Sequence, residues 1–410
     1  MATFKTISSD DIKETTSVLN QLVDFVEEDI SGSNTRKQFQ VFVTSSGNNA
    51  VTSSLFHTVY DQNFALQTSN ELFDVTMGLY HNSMTVTGSR TGIDANGKFL
   101  FPSQSLMMRE KVNIYRQFAQ LLLGDSTSRF NAPFSNSTAN ADEIDEALFL
   151  SFKRLFVRDG IKRETFAVKM FQSSSLGGNL ETGQEENPAV QEYHPGNLHV
   201  NGADNHPASG SAIYTDVGSS TSVERSSTGG DVGNIVNASN TTETVGLMFY
   251  QQGIAVFDMK KVFNGNQILS GTISSVGDHS TTGLSGSFIP HLVVSASIDE
   301  VLNHVTETRF GSGSNTFLTF QNNTKINSTL YFCRATADEF NFSTNPSYTN
   351  TEGRIKVIDT GQEDIEKSFA FVTTVGLYDA NEELLAVAKL SRPVEKNDEK
   401  DLTFRVRLDF

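Results

Sequence analysis

Tryptophan is missing from this 410-residue chain, cysteine occurs once and proline eight times. The single cysteine, Cys333, excludes an intramolecular disulfide and any zinc cage built from cysteines. Charge is sparse: Asp, Glu, Lys and Arg make up 19% of residues. The 48 acids outnumber the 31 bases and leave a net charge of −17. Nucleic-acid surfaces need clustered Lys and Arg, so this balance argues against a phosphate-binding protein. No apolar run reaches the ~18 residues that a membrane-spanning helix requires. The opening MATFKTISSDDIKE is polar and acidic where a secretory signal is basic and then apolar. The expectation is a soluble protein made in a reducing cytoplasm. The Asn-x-Ser/Thr triplets at Asn136, Asn237, Asn322, Asn327 and Asn341 carry no weight in a chain this rich in Asn, Ser and Thr.

What the chain does have is phenylalanine, 31 of them, and disordered chains are poor in aromatics. Ser, Thr, Asn and Gly are abundant, and few charges discourage contact. That combination suits β-strands that pack against other chains. The length allows two or three domains.

Along the chain, Ile12, Leu19, Leu22, Val23 and Val26 follow helical spacing and predict a surface helix. Ser8 would cap it, with Asp10 and Asp11 at the positive end. Residues 38–43 and 54–60 are short and aromatic, and 72–80 reads as a strand. A second helix is predicted over 108–123, stopped by Gly124, and a third over 142–157, which opens with acids. Asp159-Gly160 marks a turn before a strand through Thr165, Phe166, Val168 and Met170. Residues 172–240 are dominated by Ser, Gly, Asn and Thr and predict long loops or thin hairpins held by neighbouring chains.

From Val245 onward the pattern is β-like. Strands at 245–250 and 253–257 flank Gln251-Gln252 in a tight hairpin. More strands are predicted at 288–295, 317–322, 328–334, 354–358, 369–378, 384–390 and 402–408, with Pro393 ending one of them. Strands in succession without helices imply antiparallel pairing. The expected fold is mainly β with a few α-helices (α+β). It would divide into an N-terminal mixed domain (1–171), a Gly/Ser/Asn-rich loop or hairpin region (172–244) and an antiparallel β-sandwich-like domain (245–410).

Chemistry-bearing motifs are scarce. Gly311-Ser312-Gly313 lacks the third glycine and the helix of a dinucleotide fingerprint. His194, His199 and His206, with Glu192 and Asp204 nearby, are the best metal candidates, yet their spacing matches no rigid motif and favours polar loop histidines. The acids Asp10-Asp11, Glu27-Glu28-Asp29 and Glu185-Glu186 read as solvated surface. Cys333, in an apolar alternation with Leu330 and Phe332, reads as an inert buried thiol. Lys111, Arg116, Arg158, Lys162 and Arg163 form a modest basic set, best read as salt-bridge partners. No catalytic, cofactor-binding or metal residue is assigned, and no cofactor is expected.

The C-terminal stretch FVTTVGLYDANEELLAVAKLSRPVEKNDEKDLTFRVRLDF resembles a segment of virion structural proteins of tailed bacteriophages, particularly tail, baseplate and fibre-attachment proteins. LYFCRATADEFNFSTNPSY, VGLMFYQQGIAVFD and FKTISSDDI are similar to proteins of the large contractile-tailed phages of aquatic bacteria. The resemblance implies a non-enzymatic virion component of the baseplate or tail. Its partners would be copies of itself and other virion proteins, with neither nucleic acid nor membrane, and it would assemble in the host bacterial cytoplasm. A host-glycan-binding or depolymerase tail protein, or a head or neck component, is the alternative. Sugar sites lean on aromatic platforms, and the absence of tryptophan weighs for the structural reading.

The final strand generates a prediction. Leu402, Phe404, Val406, Leu408 and Phe410 alternate, and each contributes about 1.5–3 kcal/mol if fully buried. A chain ending at Lys400 is expected to lose its C-terminal domain in a thermal melt, or to fail to assemble. Melting and incorporation like those of the full chain would show that the strand is dispensable.

Overall fold

The computed structural model describes residues 4–26, 35–44, 50–83, 86, 106–134, 143–171, 211–221, 224–263, 266–268, 285–287, 293, 296–309, 316–343, 345–362 and 364–410. Its strands are β1 (Ile12–Val26), β2 (Thr35–Thr44), β3 (Ala50–Tyr60), β4 (Glu71–Leu79), β5 (Phe130–Asn131), β6 (Glu143–Ile144) and β7 (Glu146–Phe152). Next come β8 (Gly160–Ile161), β9 (Ala167–Phe171), β10 (Ser211–Thr215), β11 (Glu224–Ser226), β12 (Gly230–Asn237), β13 (Asn240–Phe249) and β14 (Ile254–Asp258). The last are β15 (Asn266–Ile268), β16 (Ser285–Ser287), β17 (Thr316–Ala335), β18 (Phe369–Tyr378), β19 (Leu384–Asn397) and β20 (Leu402–Asp409). The helices are α1 (Leu106–Leu123), α2 (Arg154–Val157), α3 (Met259–Val262) and α4 (Ile298–Arg309). The described chain is therefore mainly β with few helices, and its strands pair antiparallel. Among the described residues no helix is long and apolar enough to cross a membrane.

Two compact units result: Asn20–Thr324, and a smaller one of Met1–Leu19 with Lys325–Phe410. The division falls inside β1 and β17. The sequence-based boundaries at 171 and 244 lie within the larger unit.

In the larger unit the sheet runs β17-β9-β10-β12-β13-β14-β7-β4-β3-β2. The central strand β7 explains why 142–157 is not the predicted helix. Ala147, Leu148, Phe149 and Leu150 are all buried, so both faces of the strand are covered. A strand covered on both faces reads as a continuous apolar run, which resembles a buried helix in sequence. Phe149 stacks on Phe118 of α1, with ring centroids 4.0 Å apart and planes 7° from parallel. On the opposite face Phe152 meets Phe73, Phe166 and Phe320. Only the short α2 follows.

The N-terminal helix is also overturned. Ser8 does cap, but what it caps is a single 3-10 turn, Ser9–Asp11, by accepting from the Asp10 amide. The chain then extends as β1. Ile12, Leu19 and Leu22, which a docked helix would have buried, are exposed. Val23 and Phe25 alternate onto the core instead. Three Thr and Val residues at 15, 16 and 18 favour that extended state.

Helix α1 matches its prediction. Gly124 stops it at φ +86°, with its amide bonded to the Ala119 carbonyl. The strands at 72–80, 245–250, 253–257, 369–378, 384–390 and 402–408 are present, and the one expected through Thr165, Phe166, Val168 and Met170 begins only at Ala167, as β9. Gly253 closes the β13–β14 turn at φ +63°. Segments 317–322 and 328–334 are one strand, β17. Residues 354–358 form turns with an isolated bridge, Thr349 to Ile355. Pro393 does not end β19: it lies where the β18–β19 register shifts, a bulge that needs no amide donor. From 172–240, the described part contributes β10, β11 and β12 to the sheet, with Tyr214, Val232 and Ile235 buried. Residues 172–210 and most of the 288–295 strand lie outside the described residues. Helix α4 has no counterpart in the sequence reading.

Gly78 on β4 sits where α1 crosses: a Cβ there would lie 2.7 Å from the Tyr115 backbone nitrogen. Gly78→Ala must push the helix off the sheet, and such overpacking costs about 1–3 kcal/mol. A lowered melting temperature for the larger unit is expected. An unchanged melt would show that the helix lifts freely.

Candidate interaction surface

The smaller unit has little to bury. Its buried apolar side chains, among the described residues, are Ala335, Ala370, Leu377 and Val406. Larger ones face outward: Phe371 is 59% exposed, Leu385 69%, Ile365 76% and Phe410 75%. Tyr378, Leu384 and Val387 join them on the β18–β19 hairpin, and Tyr378 carries the Phe4 ring edge-on at 4.9 Å. Scattered exposed leucines need no explanation, but a unit with more large apolar groups outside than inside makes that exterior the candidate interaction surface.

Backbone pairing and polar pins hold this unit together. β20 pairs with the second half of β17 from Ser328↔Asp409 to Ala335↔Leu402. The last residue is tied in by reciprocal bonds between Phe410 and Asn327, at 2.9 and 3.0 Å. Of the row of five same-face side chains only Val406 is buried; Leu402, Phe404 and Leu408 are half-buried and Phe410 is exposed. On β19 itself, opposite Ala370, Lys396 is fully buried. Its Nζ donates to Asn341 Oδ1 at 2.7 Å, to the Asn397 carbonyl at 2.7 Å and to the Ala337 carbonyl at 3.2 Å. Three acceptors match the three donors of an ammonium.

The residues singled out in the sequence are dispersed. His194, His199, His206, Glu192 and Asp204 lie outside the described residues, as do Glu27-Glu28-Asp29, Glu185-Glu186 and Gly311-Ser312-Gly313. Among the described residues no three His, Cys, Asp or Glu side chains are grouped to hold a metal ion. Asp11 pairs with Arg334 at 2.8 Å. Cys333, on β17, is half-buried rather than buried. Desolvation, helped by the Asp11 charge, pushes its thiol upward and keeps it protonated.

The basic set does not converge either. Lys111 is buried, and Arg158 and Lys162 donate to Gln21 and Gln321. Arg163 meets Asp231 at 3.6 Å and lies over the Tyr250 ring. Arg116 lines a shallow open groove of about 800 Å³ along α1, with Asn113, Gln117, Gln120, Thr228 and Gln252.

Sequence reading also missed a buried carboxylate. Asp216 accepts from the Glu164 and Phe166 amides at 2.7 and 3.0 Å and from Tyr250 Oη at 2.8 Å. Burial raises its pKa against those bonds. All three partners are protein groups, so it ties β9, β10 and the β13–β14 turn together. No signal in the sequence marks it, since its partners are 34 to 52 residues away. No family model, curated protein or solved structure matches this chain.

Replacing Lys396 by Met should loosen the smaller unit selectively. Three partly buried oxygens lose a donor, but the Ala337 carbonyl keeps that of Asn341 Nδ2 at 2.6 Å and the Asn397 carbonyl that of the Lys400 amide at 3.5 Å. The loss therefore falls chiefly on Asn341 Oδ1 and amounts to about 1–3 kcal/mol. Hydrogen exchange in β18 and β19 is expected to accelerate while β7 and β13 stay protected. Unchanged exchange in the hairpin would remove Lys396 as a pin.

Proposed function

We propose that this chain is a non-enzymatic structural component of a tailed-phage virion, placed in the tail or baseplate. It acts through subunit–subunit contacts and the attachment of fibre or wedge proteins. The observation that carries the assembly role is the apolar exterior of the smaller unit, centred on Phe371, Leu385 and Val387. Small domains are marginal because they bury little surface, and this one leaves its largest apolar groups uncovered. A protein partner that buries them supplies the missing stabilisation. The phage context rests on the resemblance of 371–410, 330–348, 245–258 and 4–12 to virion proteins. The low charge density fits subunits that pack side by side.

The test separates assembly from folding. Phe371→Ser, Leu385→Ser and Val387→Ser together alter exposed positions, so the isolated chain is expected to melt within about 1 kcal/mol of wild type. Incorporation into particles, read as copies per virion, is expected to be lost. Full incorporation of the triple variant would overturn the assignment of this surface.

A further inference from the structure

Burying a lysine is costly unless its donors are met. Lys111, on α1, is fully buried, and its Nζ donates to the carbonyl oxygens of Val293 and Ala296, each at 2.6 Å. These carbonyls lie just ahead of α4. The first turn of α4 is closed by a reciprocal box: the Glu300 amide donates to Ser297 Oγ at 3.2 Å, and the Ser297 amide to the Glu300 carboxylate at 2.8 Å. Helix α4 packs on β3 and β4 and touches α1, burying Val301, Leu302 and Val305.

Two carbonyls satisfy the two N–H donors of a neutral amine. An ammonium carries a third donor, which finds no oxygen among the described residues. The contrast with Lys396, which has three acceptors, is direct. We propose that Lys111 is a proton-operated latch on α4, whose amine form holds the helix entry in place and whose ammonium form loosens it.

The surrounding charges are few. Glu110 lies beside it on α1, and Asp299 and Glu300 are on α4. From β3 comes His57, whose Nε2 is 2.9 Å from Asp299 Oδ1. The acids of β4, Glu71 and Asp74, are engaged by Lys153 at 3.0 and 2.8 Å. Desolvation outweighs Glu300 and Glu110 and lowers the Lys111 pKa from 10.5 to about 7. The closed state thus binds one proton fewer than the open state between those two values. Closure therefore strengthens as pH rises from about 7 toward 10.5 and is insensitive to this group below 7.

Hydrogen exchange of the intact chain reads the latch, once rates are corrected for intrinsic chemistry. The opening constant of α4 amides is expected to be flat below about pH 7 and to fall by up to about tenfold per pH unit above it. Lys111→Met should abolish that slope, and Lys111→Arg, permanently charged, should keep α4 loose throughout. Wild-type α4 protection that does not change between about pH 7 and pH 9 would overturn the proposal, whether or not the variants fold. So would a Lys111→Met chain that retains the wild-type slope.

Discussion

A strand buried on both faces must send its backbone donors and acceptors to neighbouring strands, because water cannot reach them. β7 is in that position, and its two partners are set by it. β4 pairs with it from Phe73↔Phe152 to Leu79↔Glu146, and β14 pairs along the other edge from Ile254↔Ser151 to Asp258↔Ala147. Each neighbour then needs its own outer partner, which β3 and β13 supply. The large side chains follow the same logic. Phe149 must be covered on one face, so α1 lies there, and Gly78 makes room for its backbone at Tyr115. Tyr115 in turn closes the floor, donating to the Ile144 carbonyl at 2.7 Å and accepting from the Phe130 amide at 3.0 Å.

The smaller unit solves a different problem with different residues. Lacking a large core, it relies on side chains that fold back on their own backbone. Asp379 accepts from the Asn381 and Glu383 amides and closes the β18–β19 turn, where Glu382 sits at φ +65°. Asn350 takes the Glu352 and Arg354 amides, and Asn397 takes that of Glu399. These are the local bonds that Asn and Asp make readily in turns. They fix loops without burying apolar surface. The abundance of Asn, Ser and Thr thus has a structural use, and it frees Phe371, Leu385 and Ile365 to face outward.

How much of this was legible in the sequence depended on whether one face of each strand met water. The hairpins at 245–257 and 369–390 were readable because turn residues interrupt clear strand runs. β7 was not, since a run apolar on both faces has no period to detect. β1 failed for the opposite reason: from Ile12 to Leu22 both faces are exposed, so apolar residues fall at accidental spacings that imitate a helix. Helix α4 was readable in principle. Ser297 with Glu300 three residues on, followed by Val301, Leu302 and Val305, is a capping box and an apolar stripe. The outward apolar face of the smaller unit, by contrast, is a fact of tertiary packing that no local pattern encodes.

The two buried lysines show how one residue type serves two purposes. Both are fully enclosed, and both were invisible in sequence, where a lysine predicts exposure. What separates them is the number of oxygens each meets. Lys396 has three, two of them backbone carbonyls, which is full satisfaction for a charged head group and suits a permanent pin. Lys111 has two among the described residues, and there desolvation outweighs the charges of Glu300 and Glu110 and brings its proton into play near neutrality. A lysine whose three donors all meet oxygens pins the segments that carry them. One that is a single acceptor short among the described residues links the docking of a helix to the proton concentration, because the amine form places both its donors there and the ammonium form leaves one unplaced.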